Sequence, residues 1–89
     1  MRHQILFYDY VEDILERRGP YREAHLARIR AERDAGRVVM AGALGDPPHG
    51  AVIVFGDIGR EPIETFARSD PYVEAGLVTA WHVEPWNVV

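Results

Sequence analysis

The chain has 89 residues, a net charge of −4 and no cysteine. This length predicts one domain over residues 1–89, with a modest core. The acidic balance argues against nucleic acid or an anionic membrane surface as a partner, and the lack of cysteine argues against disulfide staples or a thiolate zinc site. Asp9 and Glu12 interrupt the first apolar stretch, unlike a signal peptide or a membrane span, so we expect a cytoplasmic protein.

Hydrophobic pattern and turn residues predict four strands and two principal helices. Residues 3–10 are rich in β-branched and aromatic side chains and predict a strand, followed by a helical turn over about 11–18 and the main helix over about 20–35. Pro20 suits the first turn of that helix, and Gly36 suits the left-handed residue that ends it. The remaining predicted elements are strands over 37–44 and 51–55, a short helix over 61–68, a helical turn over about 71–75 and a strand over 77–86.

The order strand, helix, strand, strand, helix, strand is the split βαβ arrangement. It predicts an α+β protein with a ferredoxin-like βαββαβ sandwich, in which the short connection between the middle strands favours antiparallel pairing. Right-handed crossovers place both helices on one face of the sheet. The opposite face is therefore left without cover from this chain.

Both faces of the predicted sheet are apolar, which is unusual for a sheet covered on one side. Strict alternation along each strand divides its residues between the two faces. It separates Ile5 and Phe7 from Leu6 and Tyr8, Val38 and Met40 from Val39 and Ala41, and Ile53 and Phe55 from Val52 and Val54. A monomer would expose a larger apolar patch than soluble proteins usually tolerate. We expect a homodimer that packs sheet on sheet; the alternative is a small sheet that exposes some valine without consequence.

His25 is the first candidate for chemistry because it lies on the apolar side of the main helix. At 3.6 residues per turn it shares a stripe with Arg22, Leu26, Ile29 and Arg33. Leu26 and Ile29 must face the sheet, so His25 points to the core or to a pocket at its edge. The stripe alone favours a core histidine bonded to a backbone carbonyl, and it leaves an acid–base role open.

Asp70 is the second candidate, because it stands directly before Pro71. Ser69 or Asp70 followed by a proline at the first helical position is typical of a helix N-cap. A capping aspartate is held in place, so the same residue can also orient an imidazole. If His25 and Asp70 meet in the fold, they form a carboxylate-oriented imidazole, which moves protons near neutral pH.

The remaining histidines and charged residues are weaker candidates for chemistry. His3, His49 and His82 share no metal-ligand spacing with His25, so no metal or other cofactor is expected. Two groups are predicted to be solvated: the neighbours Arg17 and Arg18, and the charged run Arg28, Arg30, Glu32, Arg33 and Asp34.

Three segments taken together resemble the YCII-related (YciI-like) family: residues 22–26 (REAHL), 36–44 (GRVVMAGAL) and 70–77 (DPYVEAGL), with a similar closing segment at 83–86 (VEPW). The resemblance implies a ferredoxin-like domain that dimerises into an α+β barrel. It also implies that His25 and Asp70 form a catalytic dyad in a cleft. Many relatives have proline where this chain has Glu23, which predicts an extra carboxylate near the cleft.

The resemblance further implies a small enzyme, since the family includes a dehydrochlorinase that acts on a chlorinated hydroxymuconate and the barrel resembles muconolactone isomerase. We therefore expect general acid/base proton transfer on a small organic acid, of the lyase, dehydrochlorinase or isomerase type. His25 would be the base and Asp70 would fix its tautomer. Arg22 and Tyr72 would bind the substrate, a carboxylate or conjugated carbonyl compound, and no cofactor is needed. The alternative is a non-enzymatic small-ligand-binding module of the same fold, and a third interpretation treats both residues as fold supports.

Overall fold

The computed structural model describes residues 1–89 and contains the predicted elements in the predicted order. Their ends differ from the sequence prediction by a few residues at most, because end residues fray and caps blur the boundary. Gly36 and Gly76 each follow a helix with φ of 80° and 76°, in the left-handed region that glycine adopts without strain. The elements are β1 (Arg2–Tyr10), α1 (Ile14–Arg17), α2 (Gly19–Asp34), β2 (Val38–Leu44), β3 (Gly50–Phe55), α3 (Arg60–Arg68), α4 (Pro71–Glu74) and β4 (Val78–Asn87).

The four strands form one antiparallel sheet in the order β2-β3-β1-β4. Strand β1 is central and pairs with β3 on one side and β4 on the other. This is the ferredoxin-like α+β architecture that the element order predicts. No helix of the structure is both long and apolar enough to cross a membrane.

The core lies between the helices and one face of the sheet. On α3, Ile63, Phe66 and Ala67 follow the i, i+3, i+4 spacing of an amphipathic helix and pack with Leu6 and Phe55 of the sheet. Burying an aliphatic or aromatic side chain of this size contributes roughly 1.5–3 kcal/mol. This packing fixes α3, and therefore the start of the segment that follows it, against β1 and β3.

An irregularity in β2 changes which of its residues face the helices. The pairing of β2 with β3 shifts between Val38 and Met40, so that Val38 lies opposite Phe55 whereas Met40 lies opposite Val54. Val38 is buried and Met40 is 62 % exposed. Strict alternation, which placed the two on one face, is wrong here because one extra residue reverses the parity of the strand.

The face of the sheet without helices is apolar on β1, β2 and β3, as the sequence predicts, whereas β4 contributes the paired His82 and Glu84 to it. Ile5 lies opposite Val54, and Phe7 lies opposite Val52 on one side and His82 on the other. The rings of Phe7 and His82 stack with their centroids 4.8 Å apart. Together with the exposed side chains of Met40 and Trp86, these residues define what we call the open sheet face.

Candidate functional site

The imidazole of His25 and the carboxylate of Asp70 are in direct contact, across 45 residues of sequence. Nδ1 of His25 lies 2.9 Å from Oδ1 and 3.0 Å from Oδ2 of Asp70, within hydrogen-bonding distance. His25 is 4 % exposed and Asp70 is fully buried. The two predicted candidates therefore meet, and the partner of the imidazole is a carboxylate rather than a backbone carbonyl.

Asp70 is held by two further donors. The backbone N–H of Tyr72 donates to Oδ1 at 2.9 Å, which is the N-cap of α4 predicted from Asp70 and Pro71. The hydroxyl of Tyr8 donates to Oδ2 at 2.8 Å. Because the carboxylate accepts from these groups, it acts as the acceptor toward Nδ1 of His25 as well. The hydrogen of the neutral imidazole then lies on Nδ1, and the lone pair lies on Nε2.

Tyr8 is a site residue that the sequence analysis missed. It lies on β1, 62 residues from Asp70, and is 1 % exposed. Burial raises the pKa of its phenol strongly, and the charge of Asp70 raises it further, so the hydroxyl stays protonated as a donor. A signal was available, because a tyrosine on the helix-facing side of a central strand needs a partner for its hydroxyl.

Tyr72 supports the imidazole from one side. The rings of Tyr72 and His25 stack with their centroids 3.8 Å apart and an angle of 7° between their planes. The pKa of the Tyr72 phenol is raised by burial, against the opposing effect of Arg18 and Arg22. Stacking and the bond to Asp70 together fix the plane and the direction of the imidazole ring.

A cavity of about 180 Å³ opens beside His25, between α2 and the two strands β2 and β3; we call it the α2–β2 cavity. Nε2 of His25 has no hydrogen-bond partner in the chain. Nδ1 of His3 is the only fully buried side-chain nitrogen or oxygen without a partner, so Nε2 of His25 keeps some exposure, and His25 lines the cavity. The imidazole is thus held at one nitrogen and open at the other.

The lining of the α2–β2 cavity combines a basic part with an apolar part. Arg22 and Tyr72, the two residues predicted to bind substrate, line it together with Tyr10. Burial, followed by the charges of Tyr72 and Asp70, raises the pKa of Tyr10 to about 12. The apolar part consists of Leu26, Ile29, Ala41, Ala43, Ala51 and Ile53. Alanine side chains of β2 and β3 leave the space that larger residues would fill.

Arg18 was predicted to be solvated, but it is half-buried and lines the cavity. The spacing of Arg18, Arg22 and His25 is i, i+4, i+7, which is one helical face. The predicted break at Gly19 and Pro20 concealed this pattern. In the structure α2 begins at Gly19, and Arg18 occupies its N-cap position, so the face continues across the break.

Arg28 was also predicted to be solvated and is partly buried instead. Its guanidinium lies 4.4 Å from the centre of the Phe66 ring and donates to the backbone oxygen of Phe66 and to Oγ of Ser69. Arg28 therefore ties α2 to the segment that ends in Asp70. Glu23, predicted near the cleft, pairs with Arg30 at 2.6 Å on the surface and does not line the cavity.

The structure shows no group of three or more histidine, cysteine, aspartate or glutamate side chains arranged to hold a metal ion. The fold and the site define a small ferredoxin-like α+β protein with a buried, carboxylate-bound imidazole at a ligand-sized cavity. The chain belongs to the YCII-related family, because the model of the YCII-related domain matches residues 1–87. Protein YciI from Escherichia coli O6:H1 is 34 % identical over 86 residues, covering 86 % of this chain and 88 % of that protein. The family resemblance of the sequence segments is thus confirmed.

Two further relatives extend the comparison. An uncharacterized protein from Haemophilus influenzae is 29 % identical over 96 residues, covering 98 % of each chain. Among solved structures, 5-chloro-2-hydroxyhydroquinone dehydrochlorinase (TftG) from Burkholderia phenoliruptrix AC1100, in complex with 2,5-dihydroxybenzoquinone, has a TM-score of 0.81 and 20 % identity, covering 98 % of this chain and 95 % of that one. At this identity the likeness shows the shared fold. The dehydrochlorinase is named for a chlorinated hydroxyhydroquinone, not for the hydroxymuconate expected from the resemblance.

Proposed function

We propose that this protein is a cofactor-independent enzyme that uses His25 and Asp70 for general acid/base proton transfer on a small organic acid, of the lyase, dehydrochlorinase or isomerase type. One observation carries the proposal. The imidazole of His25 is bound through Nδ1 to a buried carboxylate, while Nε2 has no hydrogen-bond partner in the protein and His25 lines the α2–β2 cavity. A histidine that only supported the core would have no use for a free, accessible nitrogen beside a cavity.

In the proposed reaction, Nε2 of His25 accepts a proton from a carbon next to a carbonyl. The electrons of the C–H bond move into an enolate, and the imidazole becomes an imidazolium that the Asp70 carboxylate stabilises. In a dehydrochlorinase, these electrons then form a carbon–carbon double bond as chloride leaves, and the imidazolium loses its proton to solvent. In an isomerase, the imidazolium returns the proton to a different carbon.

The positions of Arg22 and Tyr72 support the substrate-binding roles that we propose for them. Arg22 lines the cavity one helical turn before His25 and is placed to pair with a carboxylate or an enolate oxygen. Tyr72, also proposed to contact substrate, holds the ring plane of His25. The dehydrochlorinase activity named for the TftG structure supports the reaction class, since loss of HCl from any substrate releases a proton that a base can accept.

The proposal is tested by replacing His25 with glutamine and following proton exchange with deuterated solvent. The substrates to screen are unsaturated hydroxy acids, lactones and chlorinated hydroxyhydroquinones. Exchange in the wild type should fall by roughly 10²–10⁴-fold in the variant. His49→Gln is the matched control, because His49 is exposed in the β2–β3 loop and does not line the cavity.

The variant must be shown to fold, because Asp70 loses a buried partner at a cost of about 1–3 kcal/mol. Circular dichroism and urea unfolding supply that check. If ligands bind tightly to the wild type and to His25→Gln, and no ligand exchanges a proton, the protein is a binding module and the proposal is wrong.

We also propose that two copies of this chain pack through the open sheet face. The face holds Ile5, Phe7 and Met40, and obligate interfaces bury roughly 2,000 Å² or more in total. Half of that area is about a fifth of the 5385 Å² surface of one chain, which is within the extent of one sheet face. A homodimer would remove this apolar surface from water.

Light scattering coupled to size exclusion tests the homodimer. Met40→Asp should dissociate it, because a charge would be buried in the interface without a partner. Met40 is better suited than Val54, which is 5 % exposed within one chain and whose substitution would damage the fold itself. Leu15→Asp is the control, since Leu15 is 50 % exposed on α1. A wild type that elutes as a 10.1 kDa monomer at micromolar concentration contradicts the proposal.

A further inference from the structure

Two arginines of the α2–β2 cavity have no acidic partner. Arg18 and Arg22 both line the cavity, and neither forms an ion pair. Five other arginines do pair with carboxylates: Arg17, Arg30, Arg33, Arg37 and Arg60. No aspartate or glutamate lines the cavity either. The cavity therefore holds two positive charges that the chain itself does not neutralise.

The guanidinium groups of Arg18 and Arg22 both affect the phenol of Tyr72. Both lower the pKa of the Tyr72 phenol against the effect of its burial, and Arg18 also lowers that of Tyr10. All three residues line the same cavity, so the two cations lie near Tyr72. That phenol belongs to the ring that stacks on His25, so the positive region adjoins the open imidazole.

The cavity also has a direction. Helix α2 rises by about 1.5 Å per residue, and its side chains lean toward its N-terminus. Arg18 and Arg22 therefore lie toward the N-terminal end of the cavity, His25 near its middle, and Ile29 toward its other end. An anion at the arginines would leave the apolar body of a ligand beside His25, Leu26 and Ile29.

The volume of the cavity limits the size of the apolar part of the ligand. A cavity of about 150 Å³ is large enough for benzene, and the α2–β2 cavity measures about 180 Å³. One six-membered ring with small substituents, or an open chain of similar volume, fills most of this space.

From this arrangement we propose that Arg18 and Arg22 form a carboxylate subsite, and that the ligand of the α2–β2 cavity is an organic acid of single-ring size. Arg18 is the specificity-determining residue of the pair, because it adds a second guanidinium that requires the ligand to be an anion. The planar fork of a guanidinium matches a carboxylate in two hydrogen bonds. This inference deepens the proposed function and rests on it for the claim that the bound acid is a substrate.

Binding of benzoate tests the subsite, with benzamide as the neutral probe of the same shape and 2-naphthoate as the larger anion. Chemical shifts of the backbone amides of cavity residues report each titration. Benzoate should bind and benzamide should bind at least about tenfold more weakly, since hydrogen bonds to charged groups are the stronger ones. Arg18→Gln should weaken benzoate binding at least about tenfold and leave benzamide binding unchanged.

Arg17→Gln is the matched control, because Arg17 is the preceding residue and pairs with Asp13 away from the cavity. The subsite is refuted if Arg18→Gln and Arg17→Gln bind benzoate alike, or if benzamide binds as well as benzoate. It is also refuted if about 10 mM benzoate changes the amide chemical shift of no cavity residue. A ligand of this size with an ordinary binding free energy per atom has a Kd of about 10 mM or lower. Naphthoate binding as tight as benzoate binding refutes the size limit.

His25→Gln separates this inference from the proposed function. Its benzoate binding should stay within a few-fold of the wild type, because the anion contacts Arg18 and Arg22. If binding depends on Arg18 and no acid ever exchanges a proton, the subsite stands and the enzymatic proposal fails. If exchange depends on His25 and is unchanged in Arg18→Gln, the enzymatic proposal stands and the subsite fails.

Discussion

Removing the hydroxyl of Tyr8 should destabilise the protein measurably, although the change deletes a single atom. In Tyr8→Phe the ring stays in the core, so no substantial cavity forms, and what is lost is the 2.8 Å hydrogen bond from Tyr8 to Oδ2 of Asp70. Hydrogen bonds to charged groups contribute about 1.5–3 kcal/mol each. Asp70 is fully buried, so water does not replace the lost donor without opening the structure.

The corresponding change in melting temperature is large for a chain of this length. A loss of 1 kcal/mol shifts the midpoint by roughly 4–8 °C in domains of 60–100 residues, so Tyr8→Phe should melt about 6–24 °C lower. Thermal unfolding and urea unfolding give the two independent measurements. Tyr21→Phe is the matched control, because Tyr21 is 39 % exposed on α2 and makes no side-chain hydrogen bond.

A double-mutant cycle distinguishes the bond to Asp70 from a general effect on packing. In Asp70→Asn the acceptor is no longer charged, so removing the Tyr8 hydroxyl should then cost less free energy of unfolding than in the wild type. The reasoning is refuted if Tyr8→Phe costs no more than Tyr21→Phe. It is equally refuted if the cost of Tyr8→Phe is the same with Asp70 and with asparagine at position 70.

Two further predictions use the cavity and its phenols. Ala41→Leu should abolish binding of benzoate-sized acids while changing the free energy of unfolding little, since Ala41 is exposed and lines the cavity. The control is Ala27→Leu, on the outer side of α2. Retained binding in Ala41→Leu would contradict the cavity assignment. The protein should also lose stability in alkali, because the folded state raises the pKa of Tyr10 from 10.0 to about 12. The contribution of Tyr10 to stability is complete below pH 10, where its phenol is protonated in the folded and the unfolded chain. It is lost as pH rises from 10 toward 12, because the phenol ionises first in the unfolded chain. Urea unfolding and phenolate absorbance measure this loss, and an identical pH profile in Tyr10→Phe would contradict it.

Local pattern was sufficient for most of the fold. The positions of the strands and helices follow from alternation, from the 3.6-residue stripe of α2 and from Gly36 and Pro20, all of which act within a few residues of the chain. The N-cap at Asp70 was likewise readable from the following proline. The pairing of His25 with Asp70 was not readable from pattern alone, and it was the family resemblance that connected two residues 45 positions apart.

The tertiary structure decided the remainder of the site. The bond from Tyr8 to Asp70, the place of Arg28 against Phe66 and the exposure of Arg18 to the cavity depend on how α2, α3 and β1 are stacked. Periodicity predicts which side of a helix or strand is apolar, but it does not predict at which residues that side packs against the neighbouring element. In β2 the predicted faces were wrong as well, because the register shift after Val38 moves every later residue of the strand to the other face. The sequence by itself therefore determined the elements and their order, whereas the packing of those elements placed the donors around Asp70 and opened the cavity at Nε2 of His25.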